Sequence, residues 1–160
     1  MAQPSPVPPG AHTVTPSLAL GDCARALEFY RLALGAEEVV RMPTPDGRKV
    51  WHAEIRIGDS IVYLGDEQPG MRTRAPSPDR PSPVGFWLYV VDCEAAYRRA
   101  VQAGALSAMP PTDMFWGDRT ATVHDPFGYT WTFATHVKDL SPEEVERAGR
   151  EFARKAGLGG

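Results

Sequence analysis

The feature that most constrains this chain is an internal duplication. LALGDCARAL (18–27) and LYVVDCEAAY (88–97) align at an offset of 70 residues, with Asp22 over Asp92, Cys23 over Cys93 and Leu27 over Tyr97. Gly35-Ala36 corresponds to Gly104-Ala105, one residue short of that offset. IGDSIVYL (57–64) then matches FGYTWTFA (127–134) at 70 again, with Gly58 over Gly128. Solenoid units run about 20–50 residues, so a period this long points to a doubled supersecondary unit.

Both units read alike. Leu18 and Leu20 alternate with Ser17 and Ala19, and Phe86, Leu88 and Val90 alternate with Trp87 and Tyr89, which predicts a short strand at the head of each unit. An aspartate follows at a helix N-cap, where its carboxylate accepts from free backbone N–H groups. Cys23, Leu27, Tyr30 and Leu34 make one apolar helix face, and Cys93, Tyr97 and Val101 begin the same stripe in the second helix. Gly35 and Gly104 suit the left-handed position that ends a helix. Strands are predicted at Glu37–Met42, Val50–Ile57 and Ser60–Leu64, with turns at Pro45-Asp46-Gly47 and Gly58-Asp59. The second unit has a looser stretch around Pro110-Pro111. Strands Arg119–His124 and Tyr129–Thr135 then flank the Asp125-Pro126-Phe127-Gly128 turn.

The expected class is therefore α+β, two βαβββ modules forming a cup-shaped half-open barrel, plus a C-terminal helix. The expected boundaries are a disordered, Pro-rich tail at 1–11, a first module at 12–68 and a Pro-rich linker at 69–83. A second module spans 84–138, and a terminal helix and tail span 139–160. Ser141, Pro142 and Glu144 form the capping box of that last helix.

Composition narrows the partners. A net charge of −3 with 17 basic and 20 acidic residues supplies no basic field for a nucleic-acid backbone. No apolar run approaches the roughly 18 residues of a spanning helix, so no membrane partner is expected. The N-terminus lacks the pattern of a secretory signal, and two cysteines cannot make a disulfide framework, so the expected location is cytoplasmic.

The doubled βαβββ pattern, together with FYRLALGA (29–36), HAEIRIGDS (52–60), FWGDR (115–119) and HDPFGYTW (124–131), resembles the vicinal-oxygen-chelate superfamily. That superfamily holds glyoxalase I, fosfomycin- and bleomycin-resistance proteins and extradiol dioxygenases; the branch it looks most like is the PhnB-like one. The resemblance covers residues 12–138 and implies a ligand bound inside the cup. Metal-dependent members place His, Gln or Glu on the first and last strands of each unit. Those positions here are Thr15, Val62, Gly85 and Thr132, a set without adequate donors, so no metal and no cofactor are expected. The resemblance also implies a homodimer.

Strand parity assigns the cup lining. Trp87 and Tyr89 face inward while Phe86 and Leu88 lie under the helices; Ser17, Thr122 and Thr132 also face inward. Trp116 is placed at the mouth beside Trp87, to stack on an aromatic ligand or to close the barrel. Arg119 is placed there too, to hold a ligand carboxylate or phosphate, or else to form an ion pair within the loop. His52, Glu54 and His124 form the candidate acid–base set, with Glu54 and His124 at equivalent repeat positions. Cys23 and Cys93 fall on apolar helix faces and read as small buried hydrophobes.

Two functions follow. The first is a metal-free module that sequesters a small aromatic molecule on Trp87, Tyr89, Trp116, Arg119, Thr132 and Ser17, in resistance or sequestration. The alternative is a lyase, isomerase or cyclase using His124, Glu54 and His52, with a metal-dependent glyoxalase or dioxygenase the weakest fit.

Overall fold

The structure is a computed structural model that describes residues 5–8, 10–70 and 73–157. Residues 1–4 and 9 of the expected tail, 71 and 72 of the expected linker and 158–160 lie outside the described residues.

The first module runs β1 (Ser17–Leu20), α1 (Cys23–Leu34), β2 (Glu37–Pro43), β3 (Val50–Ile57) and β4 (Ser60–Asp66). The second runs β5 (Gly85–Tyr89), α2 (Cys93–Gln102), β6 (Leu106–Asp113), β7 (Asp118–His124) and β8 (Thr130–His136), and α3 (Pro142–Lys155) closes the chain. The sheets have orders β1-β4-β3-β2 and β5-β8-β7-β6, with the first pair in each order parallel and the rest antiparallel. The fold is α+β, with two four-stranded sheets that do not close into a barrel.

The helix boundaries follow from their caps. The Asp22 side chain accepts from the Arg25 N–H at 3.0 Å and that of Asp92 from the Ala95 N–H at 2.9 Å. Gly35 ends α1 at φ +68°, a conformation costly for a residue with a Cβ. In α3 the capping box forms in both directions, Glu144 N–H to Ser141 and Ser141 N–H to Glu144.

On α1 the buried stripe is the expected one, Cys23, Leu27, Tyr30 and Leu34. On α2 it turns instead to Cys93, Ala96 and Ala100, while Val101 is exposed and Tyr97 donates its hydroxyl to Ser107. The reason is that α2 packs against α1 as well as against β6, β7 and β8. Alanines let the two helices approach closely, and Arg99 donates across the contact to the Ala33 carbonyl at 3.0 Å.

This contact joins the modules through one shared core. The Tyr30 hydroxyl donates to Asp125 at 2.8 Å, and Tyr129 donates to the Ala19 carbonyl at 2.9 Å. Asp125 is buried and also accepts from the Trp131 indole and from the backbone N–H groups of Phe127 and Tyr129. The Asp125–Gly128 turn thus anchors α1 of the other module. The linker residues Ser77 and Ser82 lie on the same turn: Ser82 N–H donates to the Gly128 carbonyl, and a Cβ at Gly128 would meet the Ser77 backbone at 2.7 Å.

Pro110 and Pro111 fall within β6 rather than in a loose stretch. This is an edge strand with register shifts on both sides of Met109, where missing N–H donors can be tolerated.

Among the described residues, no strand of one sheet is hydrogen-bonded to a strand of the other. Each sheet has one face on the helix side. Leu18, Leu20, Ala53, Ile55 and Leu64 lie there in the first module, and Ala121, Val123, Trp131 and Phe133 in the second. Among the described residues, α1 and α2 lie on that side and leave the opposite face of each sheet, its cup face, uncovered.

Candidate functional site

Cross-strand register sets the rows of the second cup face. Trp87 pairs with Thr132 and Thr132 with Thr122; Gly85 pairs with Thr130 and Thr130 with His124; Asp118 pairs with His136. Phe86 stacks on Trp131 beneath the helices, with ring centroids 4.6 Å apart, so alternation turns Trp87 and Tyr89 to the cup face. They are 49% and 68% exposed, large apolar areas for a folded chain to leave in water. Trp116 reaches this face from the turn before β7. Its indole lies 6.3 Å from that of Trp87, with the planes at 49°, forming a V-shaped aromatic notch. Thr132 and Thr122 share a hydroxyl hydrogen bond at 3.0 Å, and His124 Nδ1 meets the Thr130 hydroxyl at 3.0 Å.

Asp118 organises one end of this face. It is 3% exposed. One carboxylate oxygen accepts from Tyr89 Oη at 3.0 Å and Trp116 Nε1 at 3.2 Å, and the other from His136 Nδ1 at 2.7 Å. Burial pushes the Asp118 carboxyl up, but the bonds from His136, Tyr89 and Trp116 outweigh it and leave it below its ordinary value. Bonding to Asp118, and to Asp139 at 3.0 Å from Nε2, raises His136 in turn and favours the imidazolium. The hydrogen bond to Asp118 likewise raises Tyr89.

The first cup face has a different character. His52 Nε2 lies 3.2 Å from Glu54 Oε1, and the His52 ring packs edge-on against Tyr63 with centroids 5.1 Å apart. Ser17 pairs with Tyr63 and is exposed. Ser17, Ala19, Trp51, His52 and Gly65 line a recess of about 160 Å³.

The expected residues therefore separate. His52 and Glu54 meet, whereas His124 lies in the other sheet. Trp87, Tyr89 and Trp116 gather on one face. Arg119 does not reach the cup: it points to the helix side, where it binds Asp113 at 2.8 Å and Glu94 of α2 at 3.2 Å. Both partners were within reach because Arg119 alternates with the cup-facing Asp118 and Thr120.

Val62 also needs correction. It is 5% exposed and belongs to the shared core, and Tyr63 takes the cup-face position that pairs with Ser17. The physical reason is turn length. Ile57 pairs with Ser60 around Gly58-Asp59, whereas Asp125 N–H bonds the Tyr129 carbonyl around Pro126-Phe127-Gly128, one residue longer. That residue puts β4 one step out of parity with β3, since Glu54 and Thr122 stand 68 apart but Tyr63 and Thr132 69 apart, and in a strand a slip of one exchanges faces. Glu54, which pairs with Tyr63, is consequently the counterpart of Thr122, not of His124.

Asp118 and His136 escape the sequence reading, although their signal is present. Counting in twos from His124 reaches Asp118, and from Thr132 reaches His136. The cysteines are buried and free, and burial pushes the Cys23 thiol up to about 12, so neither is a ready nucleophile.

Two open α+β modules of four strands each, with their helices on one face, define the fold class. The family model "Glyoxalase/Bleomycin resistance protein/Dioxygenase superfamily" matches residues 11–133, and the chain belongs to that superfamily. It is 36% identical over 138 residues to an uncharacterised protein of Mycobacterium tuberculosis, covering 84% of this chain and 81% of that one. A solved Arabidopsis thaliana gene product shares 30% identity at a TM-score of 0.62, over 77% of this chain and 98% of that one. The fosfomycin resistance protein FosX from Mesorhizobium loti shares the fold at a TM-score of 0.56 and 15% identity, over 78% and 91% of the two chains.

Some members of this superfamily are metal-dependent, but the residues here do not fit a divalent ion. With the register corrected, the positions are Thr15, Tyr63, Gly85 and Thr132, which offer three neutral hydroxyls and a glycine. Among the described residues, no group of three His, Cys, Asp or Glu side chains is placed to hold a metal ion. Nor is any helix among them long and apolar enough to cross a membrane.

Proposed function

We propose that this protein binds a small aromatic molecule without a metal, as a sequestration or resistance protein of the PhnB-like kind, and that two copies of the chain complete the cup. The observation that carries this reading is the notch of Trp87 and Trp116 on a sheet face that the chain's own helices leave uncovered. Exposed indoles are costly in water and are well suited to stacking on a flat ring. A second copy, placed so that one sheet of each chain faces the other, would cover both aromatic and polar cup faces. The closed symmetry of a dimer satisfies this with one contact used twice. Two buried free thiols suit a reducing cytoplasm.

The test is direct. Naphthalene-type ligands should quench indole fluorescence, and Trp87→Ala should abolish most of that signal together with binding. Light scattering at micromolar concentration should give the mass of two chains. A monomer, or ligand binding indifferent to Trp87, would overturn the reading.

The contact between His52 and Glu54 supports a second reading, a lyase, isomerase or cyclase. A dimer that set this pair opposite His124 would assemble an acid–base set. Loss of turnover, with binding retained, in Glu54→Gln and His124→Ala would favour it.

A further inference from the structure

We propose that the outer nitrogen of His136 is an anion seat, which takes the carboxylate of a planar aromatic acid lying on Trp116 and Trp87. This rests on the aromatic-binding reading and adds the polar group that such a ligand carries.

Geometry fixes the seat from the inside. His136 Nδ1 is held 2.7 Å from Asp118, whose burial leaves its charge in need of a close partner. The ring is thereby oriented with Nε2 facing outward, and the imidazolium is a donor there rather than a base. The other Asp118 oxygen is taken by Tyr89 and Trp116, so Asp118 has little capacity left for a ligand cation. Because Trp116 and His136 share one carboxylate, the indole and the seat are held as neighbours. The adjoining Trp87 completes the notch.

Asp139 already shows what the seat accepts. Its carboxylate lies 3.0 Å from His136 Nε2, yet its side chain is fully exposed and sits in the segment between β8 and α3. An ion pair to so exposed a carboxylate contributes little, so a ligand carboxylate can replace it. The exchange keeps one anion on each side of the imidazolium, and the local charge balance is unchanged. Among the described residues of β5, β7 and β8, the cup face holds no Lys or Arg, since Arg119 is on the helix side. His136 is therefore the cation that these strands place beside the indoles, while Lys138 follows in the exposed segment after β8.

The experiment compares 1-naphthoate with its neutral isostere 1-naphthamide, by indole quenching and calorimetry on the full chain at neutral pH. Naphthoate should bind roughly ten-fold more tightly, as one charge-assisted hydrogen bond predicts. His136→Gln should bring the ratio to about one, weakening naphthoate far more than naphthamide, because only the acid uses the charge. Asp139→Asn should tighten naphthoate several-fold by removing its internal competitor. This exposed substitution keeps the test decisive if His136→Gln perturbs folding. Equal affinities in the wild type, a preference that survives His136→Gln, or weaker naphthoate binding in Asp139→Asn would overturn the anion seat and leave the aromatic site standing. Failure of both probes to bind would overturn the aromatic site, and the seat with it.

Discussion

The two modules share a scaffold and differ in what they hold out to ligand. On their helix faces they stay alike: Leu18 and Leu88 occupy the same position, as do Cys23 and Cys93. On the cup faces they part. Ser17 stands where the second module has Trp87, and Ala19 where it has Tyr89. The first cup face carries His52, Glu54 and Tyr63, and the second carries two indoles and the Asp118–His136 pair. A buried face is held by packing, in which small volume changes cost stability. The uncovered face has no such constraint and can acquire chemistry.

The largest expected effect falls on the hairpin turns, where the modules differ in burial. Asp125→Ala would strand the Tyr30 hydroxyl and the Trp131 indole N–H in the core and should destabilise the fold by about 3–5 kcal/mol. Asp59, in the matching turn, is exposed; its side chain accepts from its neighbour Ser60 and lies 4.0 Å from the exposed His12, so Asp59→Ala should change stability by less than about 0.5 kcal/mol. Chemical denaturation of both variants measures the contrast, and equal effects would break it.

The next effect is on binding. Trp87→Ala should weaken an aromatic ligand by about 1–3 kcal/mol. Ser17→Ala, at the equivalent place in the first module, should stay within about 0.5 kcal/mol. Titration calorimetry with the naphthalene probes decides this, and a Ser17 effect as large as that of Trp87 would make the two faces equivalent.

Thr120 sharpens the picture of the second face. It is wholly buried between Asp118 and Thr122, and its hydroxyl has no partner among the described residues. Thr120→Val keeps the shape and removes the stranded polar atom, so it should raise stability by about 1 kcal/mol. A lower melting temperature would show that the hydroxyl is bonded after all.

The smallest effect is a pH dependence confined to the second module. His136 is raised on folding, so its contribution is fully present below its ordinary value of 6.5 and is lost as pH rises through the higher folded value. Asp118 is lowered, so its contribution is present above 3.8 and is lost as pH falls through the lower folded value. The pair therefore contributes most between these limits. The gap in stability between wild type and His136→Gln should be widest at about pH 4–6.5 and narrow in alkali. A gap independent of pH would mean that the pair does not stabilise through charge.

The sequence by itself determined what depends on short-range periodicity and local chemistry. The duplication, the Asp caps, the α1 stripe, the α3 capping box and the inward turn of Trp87 and Tyr89 are all set by residues within a few positions of one another. Alternation along the strand Arg119–His124 also carried the direction of Arg119, which shares the face of Ala121 and Val123, but grouping it with the FWGDR segment at the mouth hides it. Tertiary structure alone decided what depends on distance between elements. One extra residue in the second hairpin placed Tyr63, not Val62, in the cup, because register passes through the turn and a slip of one exchanges the faces. The close approach of α1 to α2 moved the buried α2 stripe to Ala96 and Ala100. The Asp118, Tyr89, Trp116 and His136 cluster draws on three strands and a turn, up to 47 residues apart in the chain. Such a cluster exists only once hydrogen bonding between strands has fixed which residues lie side by side.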